Sequence, residues 1–178
     1  MVDHVEVNGK TLGLIGYGNI ARETIKVAQA LGMNILVATR TSRPDVDGIH
    51  FTTNDEVFER SDFISLHCPL NAATRHLVNQ QTLAMMKPTA YVINTARGAL
   101  IDEAALIEAL RTGVIAGAGL DVQEVEPLDD ASPLFTMDNV IITPHMGWRG
   151  LETRQRLVSM IGDNIRAFRE GHPINRVD

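Results

Sequence analysis

The 178 residues contain one cysteine, Cys68, so no internal disulfide framework can form. That usage fits a protein of the reducing cytoplasm. Long apolar runs are also missing. None approaches the roughly 18–20 residues needed to span a bilayer, and no membrane association is expected. There is no basic run either, and the net charge is -6. Both argue against nucleic acid, whose phosphates are met by clustered Lys and Arg. The opening Met1-Val2-Asp3-His4-Val5-Glu6-Val7 is acidic, unlike a signal or transit peptide. Cys68 has no partner at ligand spacing, so no metal site is expected. Internal repeats, low-complexity segments and strong linkers are absent.

What is present reads as one globular domain, with 44% hydrophobic and 21% charged residues. Apolar runs alternate with helical patterns from end to end. Strands are expected at 11–16, 34–38, about 49–52, 62–67, 90–94, 117–122 and 140–143. The first helix, 19–31, should bury a face made of Ile20, Thr24, Ala28 and Leu31. Asn54 is a natural N-cap for a short helix with Val57 and Phe58 inward. A brief helix covers about 80–86. Asp102 caps another that runs to about Thr112, with Leu106, Ile107 and Leu110 buried and Gly113 stopping it. The last helix is the longest, 151–169. Strands joined by helical crossovers predict an α/β fold, a doubly wound parallel sheet covered on both faces.

Between the first strand and first helix lies Gly16-Tyr17-Gly18-Asn19-Ile20-Ala21. Gly16 permits the tight turn. Gly18 lets a pyrophosphate approach the helix N-terminus at Asn19 and Ile20, where free N–H groups and the helix dipole favour anions. Ala21 stands where the G-x-G-x-x-G fingerprint also accepts alanine. Alone the pattern is often only a structural turn. Opening a βαβ unit, it predicts dinucleotide binding. The second strand should end in the residue that reads the adenosine ribose. There the chain has Thr39-Arg40-Thr41-Ser42-Arg43, with no carboxylate to hold the ribose hydroxyls. Arg40 and Arg43, with the Thr41 and Ser42 hydroxyls, suit a 2′-phosphate, so NADP(H) is favoured and NAD(H) remains possible.

Three blocks each follow a strand: Asn94-Thr95-Ala96-Arg97-Gly98, Asp121-Val122-Gln123-Glu124-Val125-Glu126-Pro127 and Thr143-Pro144-His145-Met146-Gly147-Trp148. They bring a cation, a carboxylate and an imidazole to the sheet edge where ligands bind. Arg97 can hold a carboxylate or polarise a carbonyl. His145 can move a proton near neutral pH. Each has a plainer reading: Arg97 as a surface ion-pair former, His145 as a turn residue, Glu126 as a solvated loop carboxylate. Glu124 competes with Glu126. Trp148 is either a closing group or a core or interface residue, and His4, His50, His76 and His172 look like scattered surface residues.

Assembled in this order, and with Ser65-Leu66-His67-Cys68-Pro69-Leu70, Met86-Lys87-Pro88 and Gly119-Leu120-Asp121-Val122, the chain resembles the D-isomer-specific 2-hydroxyacid dehydrogenases. The stretches around His145 and Glu152-Thr153-Arg154-Gln155-Arg156-Leu157 look most like the glycerate dehydrogenase (hydroxypyruvate reductase) branch. The resemblance implies Rossmann-type hydride transfer between NAD(P)H and a small 2-oxo or 2-hydroxy acid. It implies that Arg97 binds substrate and that His145 is the acid–base, with Glu126 orienting the imidazole and raising its pKa. It puts Cys68 and Pro69 along the cofactor, Pro69 on the adenosine side, and Asp121 on the nicotinamide side. Thr95, Ala96, Arg97, His145 and Gly147 are also implied to contact the cofactor.

Family members carry most of a second, substrate-binding domain ahead of the segment equivalent to Gly9-Lys10-Thr11. Residues 1–178 are therefore expected to be one cofactor-binding domain lacking most of that partner, with 170–178 a tail that would return toward it. Such a chain is expected to bind dinucleotide, to form a homodimer through this domain, and to turn over substrate poorly alone. The alternative is a non-catalytic NAD(H)-sensing module of the corepressor type. A different Rossmann enzyme, such as a methyltransferase, is disfavoured by the Arg, Glu and His blocks.

Overall fold

The computed structural model describes residues 5–177; His4, read above as a surface residue, lies outside them. The seven apolar runs form β1 (Thr11–Ile15), β2 (Asn34–Ala38), β3 (Ile49–Thr52), β4 (Phe63–Leu66), β5 (Tyr91–Asn94), β6 (Gly117–Leu120) and β7 (Val140–Ile142). They make one sheet in the order β3-β2-β1-β4-β5-β6-β7, and every pairing is parallel. The chain steps outward from β1 to β3, then crosses back to β4 on the other side of β1. Ile15 consequently sits opposite Ala38 on one side and Leu66 on the other. Crossovers on either side of that reversal diverge and leave a crevice beyond the carboxyl ends of β1, β2 and β4.

Alternation along the strands sends side chains to two cores. Ile35 and Val37 of β2 pack with Leu12, Leu14 and the helix α1 (Asn19–Ala30). Leu36 and Ala38 join the larger core beneath α2 (Asn54–Arg60), α3 (Gln80–Met85) and α4 (Glu103–Thr112), around the fully buried Phe58, Leu83 and Leu106. The face of α1 differs from the sequence expectation. Ala21, Ile25 and Ala28 are buried, whereas Ile20 is 74% exposed and Leu31 53%. Ala21, the third fingerprint position, has no measurable exposure, and its packing turns the helix so that Ile20 faces away from the core.

Helix starts follow side-chain capping. Thr53, not Asn54, caps α2, its hydroxyl accepting from the Glu56 amide at 3.2 Å. Asn79 and Thr82 form a capping box at α3. Asp102 accepts from the Ala105 amide, and Gly113 ends α4 in the left-handed region.

The backbone divides into two units, residues 1–144 and 145–178. The first holds the whole sheet and α1 to α4. The second contains α5 (Leu151–Arg169), which buries none of its residues; past its end, Gly171 is left-handed and Asn175 donates to the Asn164 side chain at 2.9 Å. Among the described residues no helix is long and apolar enough to cross a membrane.

At the amino ends of the strands, Asp62 ties β1 to the β4–β5 pair. Its carboxylate accepts from the Thr11 amide and from Lys87 Nζ, each at 2.8 Å. Burial pushes its pKa up, but the Lys87 ammonium and the Thr11 amide outweigh that and hold it below the ordinary value. The folded pKa is therefore below the unfolded one. The resulting stability is present above the unfolded value near 3.9 and is lost as pH falls through the folded value. Asp62→Asn should cost about 1–2 kcal/mol at pH 7 and much less at pH 3. Urea denaturation at both pH values checks this; equal losses would refute the ionic role.

Candidate functional site

The crevice at the sheet reversal opens into a cavity of about 880 Å³ lined by Gly16, Gly18, Arg40, Thr41, Cys68 and Pro69, among others. Six residues singled out from the sequence thus share one concave wall. Gly16 is essential to its shape. Its φ is +106°, its amide donates to the Ala38 carbonyl at 2.9 Å, and a Cβ there would lie 2.6 Å from the His67 carbonyl carbon. The turn after β1 is thereby pressed onto the end of β4. Gly18 immediately precedes α1, and a Cβ built on it would meet no atom within 4 Å. The space is open on the cavity side, and no side chain caps the helix. Asn19 and Ile20 form its exposed first turn, whose amides lack intrahelical acceptors. A phosphate group fits such a cradle.

At the end of β2 the Thr39 hydroxyl donates to the Thr41 carbonyl at 2.6 Å, shaping the turn that presents Arg40. Tyr17, between the two glycines, is the centre of a cluster that the sequence reading missed. The Arg22 guanidinium lies 4.9 Å from its ring centroid and that of Arg43 lies 5.7 Å away. Phe51 meets the ring edge-on at 5.1 Å. Among the described residues no carboxylate pairs with Arg22, Arg40 or Arg43. The only sequence hint was Tyr17 inside the glycine loop.

The loop after β4 supplies His67, Cys68 and Pro69. Burial pushes the His67 imidazole down, which keeps it neutral at pH 7, and its Nε2 lies 2.9 Å from the Ser65 hydroxyl. Burial pushes the Cys68 thiol up, so it stays protonated and is a poor nucleophile. No group of three or more His, Cys, Asp or Glu suited to a metal occurs among the described residues.

Next along the same edge are the loops after β5 and β6. Asn94, fully buried, accepts from the Ala96 amide at 3.0 Å and donates to the Arg97 carbonyl at 2.9 Å. This staple holds Thr95, Ala96 and the exposed Arg97, and sequence reading gave Asn94 no such role. The two loops are in backbone contact: a Cβ on Gly98 would sit 1.7 Å from the Gln123 carbonyl oxygen. Asp121 is buried, accepts the Thr143 hydroxyl at 2.5 Å, and has its amide on the Asn94 carbonyl at 2.9 Å.

The two candidate carboxylates part company here. Glu124 accepts from Arg75 and bonds His76, each at 2.7 Å; the His76 bond above all keeps its pKa low, against the opposing effect of burial. His76 is therefore a half-buried partner of Glu124 and not a loose surface residue, and His50 bonds Asp45. Glu126 is exposed, with Oε1 accepting from the Gln123 amide at 3.1 Å. His145 begins the second unit with a left-handed φ of +49°, followed by Gly147 and the exposed Trp148.

Comparison with known proteins accords with this geometry. Residues 1–147 match the family model described as D-isomer specific 2-hydroxyacid dehydrogenase, NAD binding domain. A hydroxypyruvate reductase of Blautia hydrogenotrophica is 41% identical over 176 residues, covering 98% of this chain and 55% of the relative. One from Thermotoga maritima is 46% identical over 155 residues, covering 85% and 50%. Among solved structures, a D-isomer specific 2-hydroxyacid dehydrogenase from Lactobacillus delbrueckii ssp. bulgaricus, in its NAD-complexed form, superposes with a TM-score of 0.88 at 32% identity. It covers 98% of this chain and 57% of that one. An NADPH-dependent glyoxylate/hydroxypyruvate reductase from Sinorhizobium meliloti, solved with NADP and sulfate, gives 0.89 at 28%, covering 100% and 58%. The chain spans about half the length of the relatives it matches. With a Rossmann-type parallel sheet, an open glycine cradle at its reversal and this match, the chain belongs to the D-isomer specific 2-hydroxyacid dehydrogenase family, as its NAD-binding domain.

Proposed function

We propose that this domain serves a reductase of small 2-oxo acids of the glyoxylate or hydroxypyruvate kind, with NADP(H) preferred over NAD(H). One observation carries the reading: the cavity at the sheet reversal, open at Gly18, shares its strand edge with the interlocked loops bearing Arg97 and Glu126. When bound, NAD(P)H supplies the hydride. Arg97, extending from a loop stapled by Asn94, holds the substrate carboxylate and polarises the carbonyl. His145 gives a proton to the carbonyl oxygen as the hydroxyl forms, and takes it back in the reverse direction. Glu126 is the partner that orients the imidazole, because Glu124 is already committed to Arg75 and His76. Asp121 belongs on the nicotinamide side of the cofactor in this reading and Pro69 on its adenosine side, with Cys68, Thr95, Ala96 and Gly147 along it.

The preference for NADP(H) is supported by Arg40 and Arg43, beyond the end of β2 and without a carboxylate partner among the described residues. Structures of relatives hold either nucleotide, so the preference rests on these residues. A homodimer through the domain is part of the same proposal, with the exposed Tyr91 and Ile141 as apolar surface for a second copy. The relatives described above lend no support to a sensing module.

The first test is titration of the 178-residue chain with NADPH and NADH, followed by reduced-nicotinamide fluorescence. NADPH should bind more tightly, NADH measurably; binding of neither refutes the cofactor assignment. Gly18→Ala should leave the thermal midpoint within a degree or so, because its Cβ meets nothing, yet weaken both nucleotides about tenfold or more by obstructing the pyrophosphate. The acid–base assignment is tested after joining the chain to a substrate domain of the family. His145→Ala should then lower kcat for glyoxylate by about a thousandfold and leave the NADPH dissociation constant nearly unchanged. An unchanged kcat would remove His145 from the chemistry.

A further inference from the structure

The proposed cofactor preference leaves open how flexible arginines on an exposed turn become selective. Arg43 is carried on the turn between β2 and β3, and Arg22 on the second turn of α1. Nothing in their sequence positions brings them together. In the structure both guanidiniums lie over one ring, Tyr17, at 4.9 and 5.7 Å from its centroid. These distances are within the range in which a cation is attracted to an aromatic face. The ring is itself anchored, because it joins the α1-side core and Phe51 of β3 abuts it edge-on. Tyr17, Arg40 and Arg43 all line the nucleotide cavity.

From this juxtaposition we propose that Tyr17 is a positioning residue for cofactor selection, its ring holding Arg43 and Arg22 ready for the 2′-phosphate of NADPH. The inference rests on the dinucleotide-binding reading given above and adds a mechanism to it. A guanidinium gathered over a ring by its face keeps its in-plane N–H donors available for phosphate oxygens. A side chain already held in place also loses less freedom on binding, so more of its attraction appears as affinity. The cluster meets the charge requirement as well. The two guanidiniums over the ring pair with no carboxylate among the described residues and repel one another, and a phosphate dianion relieves that repulsion. NADH brings no charge to this place, so the ring has little to offer it. Tyr17 thus does in the glycine loop what a ribose-binding carboxylate on β2 does in the opposite sense: it decides which nucleotide the same cradle accepts.

The test uses the 178-residue chain and measures dissociation constants for NADPH and NADH, and for the fragments 2′,5′-ADP and 5′-ADP. Tyr17→Leu removes the π face but keeps apolar bulk. It should weaken NADPH and 2′,5′-ADP by about five- to tenfold, while NADH and 5′-ADP change by less than about twofold. Tyr17→Phe keeps the face and should retain the wild-type preference, a rescue that a hydroxyl hydrogen bond would not permit. Arg43→Gln, on an exposed turn and away from the core, provides a second arm should Tyr17→Leu fail to fold. It should lower NADPH affinity selectively and reduce the salt dependence of NADPH binding. Parallel losses for both nucleotides in either arm would make Tyr17 and Arg43 merely structural and overturn the inference. So would a loss in Tyr17→Phe equal to that in Tyr17→Leu. If the wild-type chain binds NADH as tightly as NADPH, the inference falls while the dinucleotide reading stands. If it binds neither, both fall.

Discussion

The pairing of β1 with β4 is the constraint on which the rest of the molecule depends. β1 is held by β2 on one side and β4 on the other, although the chain visits β2 and β3 before β4. That reversal creates the crevice, and two backbone bonds finish it: the Gly16 amide to the Ala38 carbonyl and the His67 amide to the Ile15 carbonyl. Each extends a strand pairing one step beyond the strands themselves. A residue with a Cβ at position 16 would have to push β4 away from β1. The conformational freedom of one glycine and the topology of seven strands are therefore the same fact at two scales.

From that seam the chemistry is laid out along one edge. Beyond β2 lie Arg40 and Arg43, which pair with no carboxylate among the described residues. Beyond β4 burial works the other way, holding the His67 ring neutral and the Cys68 thiol protonated, so that the middle of the cavity carries no fixed side-chain charge from that loop. Beyond β5 and β6, charge returns as Arg97, Asp121 and Glu126. The opposite edge of the sheet is devoted to cohesion, as the Asp62 links to Thr11 and Lys87 illustrate.

How much of this was legible depended on whether the signal was local. The parallel sheet follows from the alternation of strands and crossover helices, and the cap at Asp102 and the stop at Gly113 are written in adjacent residues. The cap at α2 was misplaced by one because Thr53 and Asn54 are both good caps, and only backbone geometry chooses between them. The buried face of α1 was misplaced because Ile20 is more apolar than Ala21, while the close approach of helix to strand requires the smaller residue. Glycine, the basic turn and the polar blocks marked the site, since each departs from an apolar background. The Asn94 staple, the Tyr17 cluster and the engagement of Glu124 by Arg75 and His76 involve partners brought together by folding, and no periodicity announces them.

The contact between Gly98 and the Gln123 carbonyl has a consequence for anyone shuffling segments among relatives. Where Gly98 meets the Gln123 carbonyl no side chain fits between the two loops, so neither backbone can change path there without the other. Asn94 and Asp121 add a further bond across the same junction. Residues 94–126 therefore behave as a single heritable cassette. Chimaeras with crossover points outside this cassette should keep a working edge, whereas those with a crossover inside it would join halves shaped for different partners.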